Sequence, residues 1–476
     1  MALFRKVVFG LFVVLYLALC PVMILYSLGY AWAPGAQRHL VKTGLLSIAS
    51  APPGASVYVG KRHYTKKTPA ILRGLFPGSY HLKVALKGYR PWSRLVSVEP
   101  EKATVLERIL LLPDQLRIEL RLSGPFEQLL PVPGGHQFLL IGPPPARAVT
   151  VYDWHAERAW PLPSLQLAAD DGSVTVATSV QESPAVLLRI EGSAGVRWVW
   201  VDLKGKETRV EDLTGRLQAR LTWAGWDPSA RHELFLCQGR LVSRLSLGSG
   251  MMAEEFLAGL RGCGIAHKRL YLLTDAQVVE RLDLQGRSRE PFLEDPALSR
   301  ILSNEPEPLR LTALSDELFI FLGARGGLVS SWPPYRQAAS GVIGLDYDAP
   351  RERLLLWQRG RVGILAVPKT ADDSPTSEDE EGVRWLVTGG RRIEQALWVY
   401  EGSHVLIRDA DRVQLVDTSV SSEAPVEDLL QVKEGSAVAY IEDAGTLYYL
   451  DRTSGALSAM QLLPKPEPLT LPFAEP

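Results

Sequence analysis

One supersecondary unit recurs through most of this chain: a short apolar strand, a tight turn, and a second alternating strand. It reads as residues 138–141 with 149–152, 186–188 with 198–201, 234–236 with 241–247, and 270–273 with 278–284. It continues as 318–321 turning at 323–327, 354–357 with 362–367, 405–407 with 413–416, and 437–441 with 446–450. About eight hairpins at a mean spacing of roughly 43 residues match the period of a four-stranded propeller blade. A meander of this length leaves open sheet edges, and a closed ring removes them. The pattern predicts a β-propeller over residues 114–463, of seven or eight blades because the spacing is irregular. Two separate β-sandwiches are the runner-up.

The start of the chain is different. From Val7 to Gln37 no residue is charged, and the apolar run 7–32 is longer than the roughly 20 residues that span a bilayer. Arg5 and Lys6 lie in a short basic tail (1–6) before it, and Arg38 and Lys42 lie in a connector (33–43) after it. Tyr26, Tyr30 and Trp32 stand where amphipathic rings favour the membrane interface. A cleavable signal has a shorter apolar region, and Pro34 follows the small-residue site Ala31-Trp32-Ala33. A lipoprotein reading would use Cys20, but Leu19 is too bulky before a lipidated cysteine. The expectation is an uncleaved single-pass anchor in the cytoplasmic membrane, N-terminus inside and bulk outside. The basic flanks are nearly balanced, so the reverse orientation stays open.

Between anchor and repeats, residues 44–113 read as a small β-sandwich of short strands separated by turn signals. The strands are read at 45–48, 56–59, 68–72, 80–86 and 103–112, with Gly60-Lys61 as a turn. The segment carries Pro52-Pro53-Gly54-Ala55, Val57-Tyr58-Val59-Gly60, Thr68-Pro69, Leu75-Phe76-Pro77-Gly78-Ser79-Tyr80 and Gly88-Tyr89. In order and spacing these blocks resemble the PEGA domain family, with Pro53 standing where the family's name has Glu. The resemblance implies a sandwich related to carbohydrate-binding-like and surface-layer modules, non-catalytic and usually outside the bacterial cytoplasm. The repeat region lacks a regular Gly-His or Trp-Asp signature and resembles WD40-like propellers only loosely.

Charge is unevenly placed. Residues 44–113 hold about eight more bases than acids, and residues 114–476 about thirteen more acids than bases. Lys61, Arg62, Lys66 and Lys67 cluster around one turn as candidate contacts for anionic lipid head groups or an acidic polymer, or as a solvated loop. No nucleic-acid motif is present, and nucleic acid is not an expected partner. Residues 369–381 are acidic and without large apolar side chains, which predicts a mobile loop rather than a calcium site. Residues 464–476 read as an extended Pro-rich tail.

A search for chemistry returns little. His-Glu-x-x-His, a nucleophile elbow and a phosphate-binding glycine loop are all missing. The eight histidines (39, 63, 81, 136, 155, 232, 267 and 404) show no i, i+4 pair. Asp346 and Asp348 share one strand face, which a hydrolase could use and strand-end solvation explains better. Trp154, Trp160, Trp198, Trp200, Trp223 and Trp226 form either an aromatic platform or a core stripe. Cys237 and Cys263 either pair outside the cytoplasm or serve as small buried hydrophobes. No catalytic, metal or cofactor residue is assigned. The expected function is a membrane-anchored envelope protein that binds or scaffolds a protein or glycan. A propeller hydrolase and a membrane-complex assembly or sensor subunit are the alternatives.

Overall fold

The computed structural model describes residues 2–27, 29–32, 40–179, 185–203, 208–217, 221–228, 230, 232–247, 252–266, 268–370, 382–419 and 425–463. Residues 371–381 of the acidic segment and the tail 464–476 lie outside the described residues. The chain divides into two compact units, one of the residues up to Arg117 together with those from Met460 on, the other Ile118–Ala459.

The first unit begins with α1 (Ala2–Ser27). Val8–Ser27, 20 residues of mean hydropathy 2.7, is long and apolar enough to cross a membrane, and none of it is buried by the rest of the protein. The helix ends five residues before the apolar run does. Gly29 takes a left-handed φ of +81° and its amide bonds to the Tyr26 carbonyl at 3.1 Å, a glycine helix stop. Tyr30 and Trp32, expected within the membrane segment, instead belong to β1 (Tyr30–Trp32), which pairs antiparallel with β2 (Leu40–Lys42).

Seven strands follow: β3 (Gly44–Ala51), β4 (Ser56–Val59), β5 (Arg62–Lys67), β6 (Ala70–Leu75), β7 (Gly78–Ala85), β8 (Trp92–Val98) and β9 (Ala103–Leu110). They form a three-stranded sheet ordered β6-β3-β9 and a four-stranded sheet ordered β5-β4-β7-β8. Alternate residues point inward, so Leu46 and Ile48 of one sheet meet Val57, Val59, Leu82 and Val84 of the other in one apolar core. β5 and β8 are absent from the sequence reading. Both are edge strands, and β5 is exposed along nearly its whole length, so no apolar alternation marks it.

Among the described residues, the second unit is a ring of eight four-stranded antiparallel sheets. Blades one to seven follow the chain, over 128–161, 171–212, 221–258, 260–293, 310–339, 344–388 and 393–431. The eighth combines Ala439–Ile441, Thr446–Leu450 and Leu457–Gln461 with Ile118–Leu122 from the opposite end of the unit's sequence. The blade count is therefore eight. The last predicted hairpin supplies the first and second strands of its blade, whereas the other seven lie at the second and third, which shortens the final interval.

Apolar clusters lie between successive sheets, as where Leu139 and Val151 of blade one meet Val186 and Leu188 of blade two. Another joins Phe138, Leu140 and Tyr152 of blade one to Tyr448, Leu450 and Leu457 of blade eight, which closes the ring. First strands take part in the main contacts between neighbours, as where Leu260–Ala266 of blade four lies against Arg310–Ala313 of blade five and Ile393–Val399 of blade seven against Arg353–Gln358 of blade six. Glycine permits the tightest of them: a Cβ on Gly262 or Gly264 of blade four would stand 2.6 Å from the carbonyl oxygens of Leu309 or Leu311. One helix, α2 (Pro296–Asn304), interrupts the β pattern between blades four and five, and the sequence reading missed it. Asp295 caps its first amides, and Leu298 and Leu302 bury one face.

Candidate binding surfaces

The turn motif of the sandwich is built around one buried hydroxyl. Thr68 Oγ1 accepts from the Ala55 amide at 2.9 Å and lies 2.7 Å from Ser50 Oγ. The Thr68 carbonyl accepts from Gly54 at 2.7 Å, and its amide donates to the Ala55 carbonyl at 2.9 Å. Gly54 has φ +85°, so Pro52-Pro53-Gly54-Ala55 folds back onto Thr68-Pro69 as one latch. Gly88 (φ +83°) turns the chain so that Tyr89 packs on the core and the Gly88 carbonyl receives the Asp114 amide at 3.0 Å. Gly78 opens β7, and the hydroxyl of Tyr80 donates to the carbonyl of Phe76, beside Pro77, at 2.8 Å. These motif residues hold the fold together through main-chain contacts.

Arg62, Lys66 and Lys67 lie on β5, with Lys61 in the turn before it, so the basic cluster is a strip along a sheet edge rather than a patch on one turn. Antiparallel register separates its ends: Arg62 stands opposite Val59 and Lys67 opposite Ser56. The Lys61 turn points toward the end where the chain enters from β2, and Lys66 and Lys67 lie toward the other end. The Arg62 guanidinium sits 5.0 Å above the Tyr64 ring, and Tyr58 and His63 stack at 4.7 Å. Lysine on an exposed edge also blocks strand addition by other chains.

On the ring, a cleft of about 530 Å³ opens between blades two and three, lined by Trp200, Arg209, Glu211, His232, Ser164 and Leu247 among others. Trp200 and His232 meet edge to face at 6.4 Å. Glu211 receives Arg216 at 2.5 Å, so this carboxylate is already paired. The sequence marked the tryptophans here but not Arg209 or Glu211, which sit on a polar outer strand. Trp198, Trp200 and Trp226 are buried in an inter-blade core, whereas Trp154, Trp160 and Trp223 are half-buried. The first three are thus a core stripe and present no flat platform.

The carboxylate pair does not converge on one task. Asp348 is held by Arg353 at 2.7 Å and Arg351 at 3.4 Å. Burial pushes the Asp346 carboxyl above the usual range. His404 is buried and lies 2.9 Å from Ser403 Oγ, while the rings of His136 and His155 approach to 5.2 Å on blade one. Among the described residues, no group of three or more His, Cys, Asp or Glu side chains is arranged to hold a metal. Neutral polar side chains also bind blade to blade. The indole of Trp398 donates to the Asp346 carbonyl at 3.2 Å, and Gln395 exchanges two 3.0 Å bonds with the Val438 main chain.

Residues 43–110 match the model of the PEGA domain. No curated protein matches the chain. Among solved structures, it is similar to Saccharomyces cerevisiae Sqt1 at 9% identity and TM-score 0.45, covering 74% of this chain and 98% of that one. It is also similar to BamB from Moraxella catarrhalis at 13% identity and TM-score 0.41, covering 73% and 99%. The Cps50 (Swd1) β-propeller domain of Myceliophteria thermophila gives 12%, 0.36, 72% and 99%. These likenesses are distant, and the eight-bladed ring is read from sheet order alone. The chain carries a PEGA domain, preceded by one long apolar helix and followed by a β-propeller.

Proposed function

We propose that this chain is a membrane-anchored binding or scaffolding protein of the bacterial cell envelope, holding its propeller outside the cytoplasmic membrane for a protein or glycan partner. The observation that carries the reading is the wholly uncovered apolar surface of α1. Twenty such residues exposed to water would be strongly unfavourable, and a bilayer removes that cost. The PEGA resemblance supports the extracytoplasmic side. The Lys61 turn, on the side of the sandwich from which the chain enters, supports contact with anionic head groups, each basic residue contributing about 1 kcal/mol near the surface.

The propeller supports binding more than chemistry, because Asp348, Glu211 and Glu394 are already matched to arginines. Protease treatment of spheroplasts expressing the full chain with a C-terminal epitope tests the placement. Digestion of the propeller with the inner membrane intact is expected. Protection until the membrane is lysed overturns the envelope reading and makes the protein an intracellular scaffold.

A further inference from the structure

Cys237 and Cys263 meet at the seam between blades three and four. Cys237 lies on the second strand of blade three (Glu233–Gln238) and Cys263 on the first strand of blade four (Leu260–Ala266). Both are buried in one apolar cluster with Phe235, Val242, Leu270 and Leu272. Their side chains are neighbours in that cluster, and both are free thiols here. Gly262 and Gly264 flank Cys263 and let its strand press against blade five, so the strand has little room to move away. A pair of neighbouring thiols in an otherwise apolar seam is the only element of that cluster able to form a covalent bond between blades.

We propose that Cys237 and Cys263 are the two halves of an inter-blade disulfide that closes when the chain folds in an oxidising compartment. While the seam is open either thiol can lose its proton to water and start the exchange, and both routes end in the same disulfide. The Cys237 thiolate attacks one sulfur of a small disulfide oxidant and releases one thiolate. Cys263 then loses its proton and attacks Cys237 Sγ in the mixed disulfide, releasing the second thiolate. Two protein thiols are oxidised, one oxidant disulfide is reduced, and the two protons end on the released thiols. Cys237 is 2% exposed and Cys263 0%, so an oxidant reaches them only before the seam packs or when it opens. The pair therefore keeps the redox state of the compartment in which the blade folded.

The test is independent of the membrane placement proposed above, because it is done on purified full-length chain in detergent. The protein is unfolded, refolded in glutathione buffers of graded oxidation, alkylated, and its peptides are mapped. Where refolding is incomplete, folded chain held a few degrees below its Tm in the same buffers gives the same readout. A single Cys237–Cys263 cross-linked peptide is expected, with Tm raised by roughly 3–8 °C over the reduced form. That difference vanishes in Cys237→Ala and in Cys263→Ala. Separate alkylation or glutathionylation of the two cysteines in the most oxidising buffer overturns the proposal. So does a cross-link to Cys20, or a 237–263 cross-link that lowers Tm.

Discussion

Thr68 concentrates the latch of the PEGA domain in one side chain. Its hydroxyl is buried and serves both the Ala55 amide and Ser50 Oγ. Thr68→Val keeps the volume but leaves the buried Ala55 amide unmatched, while Ser50 keeps its 2.7 Å bond to the Pro52 carbonyl, at a cost of about 1–3 kcal/mol. Hydrogen exchange should show the Ala55 amide losing protection at least tenfold, while Thr68→Ser keeps most of it. Asp451 makes a pH-dependent counterpart in the ring. Ser454 and Thr453 donate main-chain and hydroxyl bonds to its carboxylate and lower its pKa to about 2, below the ordinary Asp value of 3.8. A depressed folded pKa means the bonus is complete above the ordinary value and is lost as pH falls through about 2. Asp451→Asn removes that dependence. Urea midpoints should therefore differ most between wild type and variant at pH 7, with the gap narrowing toward pH 2. A gap that stays constant over that range would show that the Asp451 carboxylate adds nothing to folding.

At the scale of elements, helix α2 depends on a residue far from it in sequence. Arg261, 8% exposed, donates to the Leu302 carbonyl at 2.9 Å and the Glu305 carbonyl at 3.0 Å, the open end of the helix. The same guanidinium reaches Glu307 at 2.8 Å and Gln277 Oε1 at 2.6 Å. Arg261→Met fills the space but leaves the Glu305 carbonyl without this donor, while the Leu302 carbonyl keeps the Glu305 amide and Glu307 keeps Arg240, and a loss of about 1–3 kcal/mol is expected in chemical unfolding. The helix had a local signal that went unread: Asp295 before Pro296, then Leu298 and Leu302 one turn apart. Elsewhere, legibility tracked burial. Second and third strands of the blades, such as Leu354–Leu356 against Val362–Leu365, are buried on both faces and read as apolar runs. First strands lie against their neighbours and carry glycine, as in Leu260–Ala266, which hides their periodicity. Fourth strands such as Arg209–Asp212 are polar and exposed, as is β5 of the sandwich. The cleft between blades two and three draws Arg209 and Glu211 from such a strand, so of its lining only Trp200 and His232 were marked beforehand. The PEGA turn was legible because glycine and proline report backbone geometry directly.

For the whole molecule, the decisive contact joins residues more than three hundred positions apart. Ile118–Leu122 completes the sheet begun by Ala439–Ile441, and no local pattern in either segment names the other. The repeat predicted a ring, because only closure hides the edges of so many hairpins, but the partner strands had to be seen. This closure makes a prediction with a built-in control. Ending the chain after Ala456 deletes the strand Leu457–Gln461, which lies between Thr446–Leu450 and Ile118–Leu122. Leu457 and Ala459 leave the cluster with Phe126, Phe138 and Tyr152, and the strand Ile118–Leu122 is left without a sheet. The exposed edge and apolar face favour association with other copies over a reclosed seven-bladed ring. Ending the chain after Leu463 keeps every described strand. The shorter truncation should elute in detergent like the full chain and unfold at the same urea concentration. The longer one should aggregate, or unfold broadly at lower urea with early proteolysis of residues 118–161. Equal cooperativity in the two truncations would mean that ring closure contributes nothing measurable, and that each blade pair is held by its own apolar seam.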